Sequence, residues 1–174
     1  MHLLRPTGPP PGLTATAPSA TAPSATPPSA TRPAAGQPPS EADLRMVVAR
    51  LDARRDRAFV VGDMSLLAQV YAPGSAPLAT DSARLASLLK AGEHASRLAL
   101  RVRTIDVVTR TAVSATLRVA DELGPYSLVG SDGHPLHSLP ARGLATWSMW
   151  LVRQGSDEGS WRIAASPGPR RVET

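Results

Sequence analysis

The chain contains no cysteine. Disulfides, thiolate nucleophiles and cysteine-based metal sites are thereby excluded, and the redox compartment is left open. It has one lysine, Lys90, so its basic character comes from arginine. The arginines are interleaved with acids, as in Asp52, Arg54, Arg55, Asp56 and Arg57, and a helix face carrying both signs reads as a solvated face. The tightest basic pairs, Arg54–Arg55 and Arg170–Arg171, make no stripe for phosphates and lack interleaved aromatics, so the high isoelectric point implies no nucleic-acid partner. Long apolar runs are missing too. Nothing approaches the ~20 residues of a membrane span. In the opening MHLLRPTGPPPG, prolines stand where the hydrophobic helix of a signal peptide would be. Their absence points to the cytoplasm; a start further upstream, encoding an anchor, would place the domain outside it.

Motifs for common chemistries are equally scarce. No glycine-rich phosphate loop occurs. Ser131 in GSDG lacks the Gly-x-Ser-x-Gly spacing of a nucleophile elbow. His134 and His137 flank Pro135 in a polar stretch, but a metal needs a third and usually a fourth ligand, and Asp132 reads as a turn former. The sequence therefore implies no metal and no cofactor.

What is present divides at Pro39. All 14 acidic residues lie beyond it, with all but two of the 19 basic ones, the exceptions being Arg5 and Arg32. Residues 1–39 are built from Pro, Ala, Thr, Ser and Gly and include the repeats TAPSA, TAPSA, TPPSA and TRPAA over Thr16–Ala35. Proline cannot propagate helix or sheet, and too little apolar surface exists to offset the ordering entropy. A disordered, partly extended arm is expected over 1–39, a folded domain over 40–168 and a disordered tail over 169–174. The arm reads as a spacer, tether or glycosylated stalk, or as compositional drift.

Order is expected from Ser40, an N-cap with Asp43 at capping-box spacing. Leu44, Val47, Val48, Leu51, Ala58 and Phe59 keep helical period to Gly62. A second helix is predicted from Met64 to about Tyr71, capped by Asp63. APGSAP, 72–77, reads as a turn, and a third helix from Ser82 to about Ala91 is capped by Asp81. After Gly92 the period becomes two. Leu98, Leu100 and Val102 alternate with polar or small residues, then the phase slips to Ile105 and Val107, predicting a bulge near Thr104. Val113, Ala115, Leu117 and Val119 alternate next, Tyr126–Val129 follows, His134–Gly143 reads as a loop, and Leu144–Arg153 is apolar on both parities like a central or doubly covered strand. Trp161–Ala165 closes the series. Three helices followed by four to five antiparallel strands predict an α+β fold, with helices on one face of a curved sheet.

RAFVVGDMSLLAQVYAPGS near the front and ATWSMWLVR…WRIAA at the back resemble the NTF2-like superfamily, which includes SnoaL-like cyclases and ketosteroid isomerases. The resemblance covers roughly 40–166 and implies a cystatin-like cone around a pocket. The proline-rich 72–81 departs from the hairpin that many members carry there. Enzymes, binding modules and assembly domains share the fold, so function has to come from the site.

Asp121 has the inward parity of Val113 to Val119 and is the first pocket candidate. Such a carboxyl is kept protonated, acts as a base, or pairs with an arginine at the strand end. Tyr71 and Tyr126 are candidates for phenol hydrogen bonds into the pocket. Trp147 and Trp150 differ in parity, so one faces the pocket and the other faces away; Trp147 with Met149, and Phe59 from the first helix, complete the candidate lining, against plain core packing. Trp161 is expected in the core. The preferred reading is a non-enzymatic module on a flexible proline-rich tether that binds either a small apolar ligand in the cone or a protein on the sheet, the open sheet face being where a homodimer would form. The alternative is a small isomerase, cyclase or dehydratase using a pocket Asp and Tyr.

Overall fold

A computed structural model of the chain describes residues 36–155 and 160–166. Most of the arm expected over 1–39, and the tail over 169–174, lie outside the described residues.

Helix α1 spans Glu41–Val61. The Ser40 hydroxyl accepts the Asp43 N–H at 3.1 Å while the Asp43 carboxylate accepts the Ser40 N–H at 2.9 Å, the reciprocal pairing of a capping box. At the other end Gly62 takes a left-handed conformation, φ 72°, and returns its N–H to Ala58 O. Helix α2 is Met64–Ala68 and is shorter than predicted. The residues assigned to its last turn are drawn to the sheet instead: Ile163 N–H donates to Val70 O and Ala72 N–H to Ile163 O, both at 2.9 Å, so Tyr71 forms a bridge with Ile163. Helix α3 runs Ala76–Lys90, beginning at Ser75 rather than at Asp81. Pro77 fits its first turn, where backbone donors have no intrahelical partner. Asp81 is therefore not a cap; it lies inside the helix and is buried.

Among the described residues, seven antiparallel strands follow: β1 (Glu93–Ala95), β2 (Leu100–Arg110), β3 (Ser114–Leu123), β4 (Tyr126–Gly130), β5 (Pro135–Leu139), β6 (Arg142–Arg153) and β7 (Trp161–Ala165). They form a four-stranded sheet ordered β2-β3-β6-β7 and a three-stranded sheet ordered β1-β4-β5. The architecture is the expected α+β arrangement of three helices packed with antiparallel sheets, with two more strands than the sequence suggested. The additions are the short β1 and β5. Strand β5 replaces much of the loop expected over 134–143; it pairs with β4 while four of its five residues are exposed. The predicted slip near Thr104 is a register shift between Val102 and Thr104, and a second lies between Val107 and Thr109. Val113, expected in the alternating set, precedes β3 and is exposed.

Strand β6 is central, between β3 and β7, but only its inner face is covered: Met149 and Leu151 are buried, whereas Leu144 and Trp150 are exposed. The core forms where Leu44, Val48 and Leu51 of α1, Leu67, Val70 and Leu85 meet Leu117, Val119, Leu151 and Ile163 of the sheet. Trp161 joins it.

Candidate functional site

The inner faces of α1, α3 and both sheets do not close completely. They leave a cavity of about 380 Å³, walled on its apolar side by Phe59, Leu88, Leu98, Leu100, Val119 and Met149, among others. Five of the six candidates line it: Asp121, Tyr126, Trp147, Met149 and Phe59. Tyr71 does not. Its hydroxyl donates to Asp81 Oδ2 at 2.5 Å and accepts from Arg55 Nε at 2.9 Å, behind the cavity wall.

Register places these side chains. Val119 pairs with Trp147 and Leu117 with Met149, so Trp147, Met149 and the buried Asp121 share the inner face of β3 and β6, while Trp150 faces out. Between Asp121↔Ala145 and Leu123↔Arg142 the register is irregular, with one more residue on β6 than on β3. That bulge turns Arg142, whose parity along β6 would face it outward, into the cavity lining. Arg142 forms an ion pair with Asp121 Oδ1, and its guanidinium stacks 4.9 Å over the Trp147 ring. The Trp147 Nε1–H donates to the same Asp121 oxygen at 3.0 Å. Asp121 is thus a cavity carboxylate held by two donors, which binds it to the arginine-paired alternative.

The helix supplies a second polar group that sequence reasoning did not select. Asp52, Arg55 and Phe59 sit at i, i+3 and i+7 on α1 and all line the cavity. The mixed-sign run 52–57 is therefore not wholly a solvated face: Asp52 and Arg55 turn inward, and Asp56 accepts the Leu98 N–H at 2.8 Å. The Arg55 signal was present, because Arg55 stands four residues after Leu51 and four before Phe59, inside the apolar stripe. Arg55 gives Asp81 a forked ion pair, Nε to Oδ2 at 2.5 Å and Nη2 to Oδ1 at 3.0 Å. Burial alone would lower the Arg55 pKa, but the hydrogen bonds and charge of Asp81 and Tyr71 raise it above its ordinary value. Burial, with Asp81 beside it, raises the Tyr71 phenol in turn. Arg84 of α3 also lines the cavity and donates to the Tyr126 hydroxyl at 3.1 Å.

Asp52 differs from these paired groups. It is half-buried, and among the described residues no group donates a hydrogen bond to it. Burial pushes its pKa up to about 7; Arg55 opposes the shift and Asp121 adds to it. Near neutral pH it can therefore hold a proton or release one.

No protein-family model and no curated protein sequence matches the chain. Solved structures do. The intermembrane space region of the chloroplast protein ARC6 superposes with a TM-score of 0.55 at 14% identity, over 75% of this chain and 96% of that one. Aln2 from a Streptomyces species aligns over 74% and 90% of the two chains, with a TM-score of 0.47 at 14% identity. An uncharacterised protein with a cystatin-like fold from Caulobacter vibrioides aligns over 70% and 85%, with a TM-score of 0.41 at 18% identity. At these identities the likeness concerns the fold alone.

Proposed function

We propose that the domain is a non-enzymatic binding module that takes a small, mostly apolar ligand inside the cone, on a proline-rich tether. The observation that carries this reading is the cavity, with about 380 Å³ of space, mainly aliphatic and aromatic walls, and charged side chains most of which are tied up by protein partners, Arg55 by Asp81 and Arg142 by Asp121. That combination is the usual form of a small-molecule site. Native mass spectrometry of the purified full chain tests it. A co-purified or added apolar molecule should appear as a one-to-one adduct; a chain that stays bare in the presence of excess apolar probes contradicts it.

The partner proposed for the outer sheet face is a second copy of this chain. Trp150 and Leu144 are 48% and 66% exposed there, and exposed large apolar side chains favour association. Sedimentation should give a dimer that Trp150→Arg dissociates; a monomer at all concentrations removes this part.

One observation favours a small enzyme as a second reading: Asp52, Asp121 and Tyr126 line one cavity, and Asp52 is poised near neutrality. In that reading proton transfer falls to Asp52, because Asp121 is held by Arg142 and Trp147. Turnover abolished by Asp52→Asn, with ligand affinity retained, would favour it over binding alone.

A further inference from the structure

The interleaved charges of α1 separate in three dimensions. Asp52 and Arg55 face the cavity, and Asp56 accepts the Leu98 N–H. Arg50, Arg54, Arg57 and Val61 recur at i, i+4, i+7 and i+11, which makes one stripe on the other side of the helix. That stripe lines an open groove, completed at the α1–α2 junction by Asp63 and Leu66. The groove sets three guanidinia against one carboxylate, and the Asp63 carboxylate already accepts the Ser65 N–H at 2.8 Å as the cap of α2. Arg54 Nη1 reaches Gln69 O only at 3.5 Å. Burial, and then the charges of Arg54 and Arg50, lower the pKa of Arg162 on β7, so a fourth guanidinium stands in the same positive field. Val61, and Met64 at the start of α2, are exposed at the far end.

We infer that this groove docks an acidic, amphipathic helical segment of a partner protein, with carboxylates facing Arg54 and Arg57 and apolar side chains lying on Val61 and Leu66. Guanidinium forks pair with carboxylates through two hydrogen bonds. Arg54 and Arg57 share one helix face, and carboxylates at i and i+3 or i+4 of a second helix match their spacing. From Arg50 to Val61 the stripe runs about 16 Å, or about three helical turns, which suits a helix laid in a groove. Its two ends differ. The Arg50 end is purely basic, whereas at the Val61 end Asp63 repels a carboxylate and the apolar wall takes an aliphatic side chain. That asymmetry sets the direction of the bound segment. A nucleic-acid strand is a poorer complement, because among the described residues no aromatic lines the groove to stack a base and the apolar end offers nothing to phosphates. The cavity lies on the opposite face of α1, so this docking is independent of the binding reading above.

Fluorescence anisotropy of a labelled helical peptide of about four turns, titrated with the full chain, tests this. The peptide carries Glu at i, i+4 and i+7 and Leu at i+8 and i+11. It should bind saturably at low salt, more weakly as salt rises, and about tenfold more weakly when its glutamates are glutamines. Arg54→Gln with Arg57→Gln should cause a similar loss. Arg101→Gln with Arg118→Gln, which removes equal charge from exposed positions on β2 and β3, should not. Arg54→Glu with Arg57→Glu should bind the peptide in which lysine replaces each glutamate, a rescue that a misfolded variant cannot give. The inference fails if the glutamate peptide does not bind, if Arg54→Gln with Arg57→Gln leaves its affinity unchanged, or if the control pair costs as much. It also fails if polyuridylate or phosphatidylserine vesicles bind more tightly than the peptide and lose that binding in Arg54→Gln with Arg57→Gln, which would assign the groove to a nucleic acid or a membrane.

Discussion

Arg55 and Asp81 join the first helix to the third from inside the molecule, through a forked ion pair with contacts of 2.5 and 3.0 Å. The two residues are 26 positions apart, and the Tyr71 hydroxyl lies between them in the same network. The pair forms one side of the cavity: Arg55 lines it, and α3 contributes Arg84 and Leu88 to the lining. Fixing α3 against α1 therefore fixes the shape of the site.

Removing one member should cost far more than removing both. Asp81→Ala leaves the partly buried Arg55 guanidinium without its counter-ion, and breaking such a pair should destabilise by about 2–4 kcal/mol, below the cost for a fully buried pair. Tyr71→Phe loses only a hydroxyl contact and should cost about 1–2 kcal/mol. The double variant Arg55→Met with Asp81→Leu should recover most of the Asp81→Ala loss. Urea denaturation of the four proteins checks the order.

Asp52 should make stability depend on pH in the direction opposite to most carboxylates. Its folded pKa, about 7, lies above the ordinary value of 3.8, so the folded state binds more protons than the unfolded state between those limits. Its favourable contribution is complete below about pH 4 and is lost as the pH rises through 7. Asp52→Asn should therefore stabilise the protein more at pH 8 than at pH 5, by about 1–2 kcal/mol once solvent screening at a half-buried carboxyl is allowed for. Thermal melts at the two pH values read this directly.

Gly62 is required at the end of α1 for two reasons. Its φ of 72° is costly for an L side chain, and a Cβ there would meet Leu89 Cδ2 at 2.8 Å. Leu89 is an exposed side chain that can move, so backbone strain is the larger part. Gly62→Ala should destabilise by about 1–2 kcal/mol, measurable as a lowered denaturation midpoint with an unchanged slope.

Much of the fold was legible because its signals are local. Ser40, Asp43 and Gly62 delimit α1 with both caps visible in the sequence, and the parity change at Thr104 marks a bulge by counting alone. The alternation from Ala115 to Asp121 fixed the inner face of β3. What the sequence concealed depends on tertiary partners. Asp81 has the identity of a cap, but Arg55 takes it into the interior, and α3 begins at Ser75 where proline suits the first turn. Strand β5 is exposed along nearly its whole length, so no hydrophobic period marks it; its partner β4 holds it. Arg142 enters the cavity only because β6 bulges, and sequence parity cannot foresee a bulge in a segment that reads as loop. Asp52 and Arg55 were hidden by alternating charge, although Arg55 interrupts the apolar stripe between Leu51 and Phe59.

The central claim is that the space between α1 and the sheets holds a ligand, and filling it from the protein side tests that most directly. Ala95 is buried on β1 and lines the cavity, so Ala95→Phe places a ring in the hollow while leaving Asp52, Asp121 and Arg142 unchanged. Calorimetric titration of 2-ethylnaphthalene into the full chain should show saturable one-site binding, and the same titration into a folded Ala95→Phe variant should show none. Equal binding by both proteins, or none by either, would contradict the account.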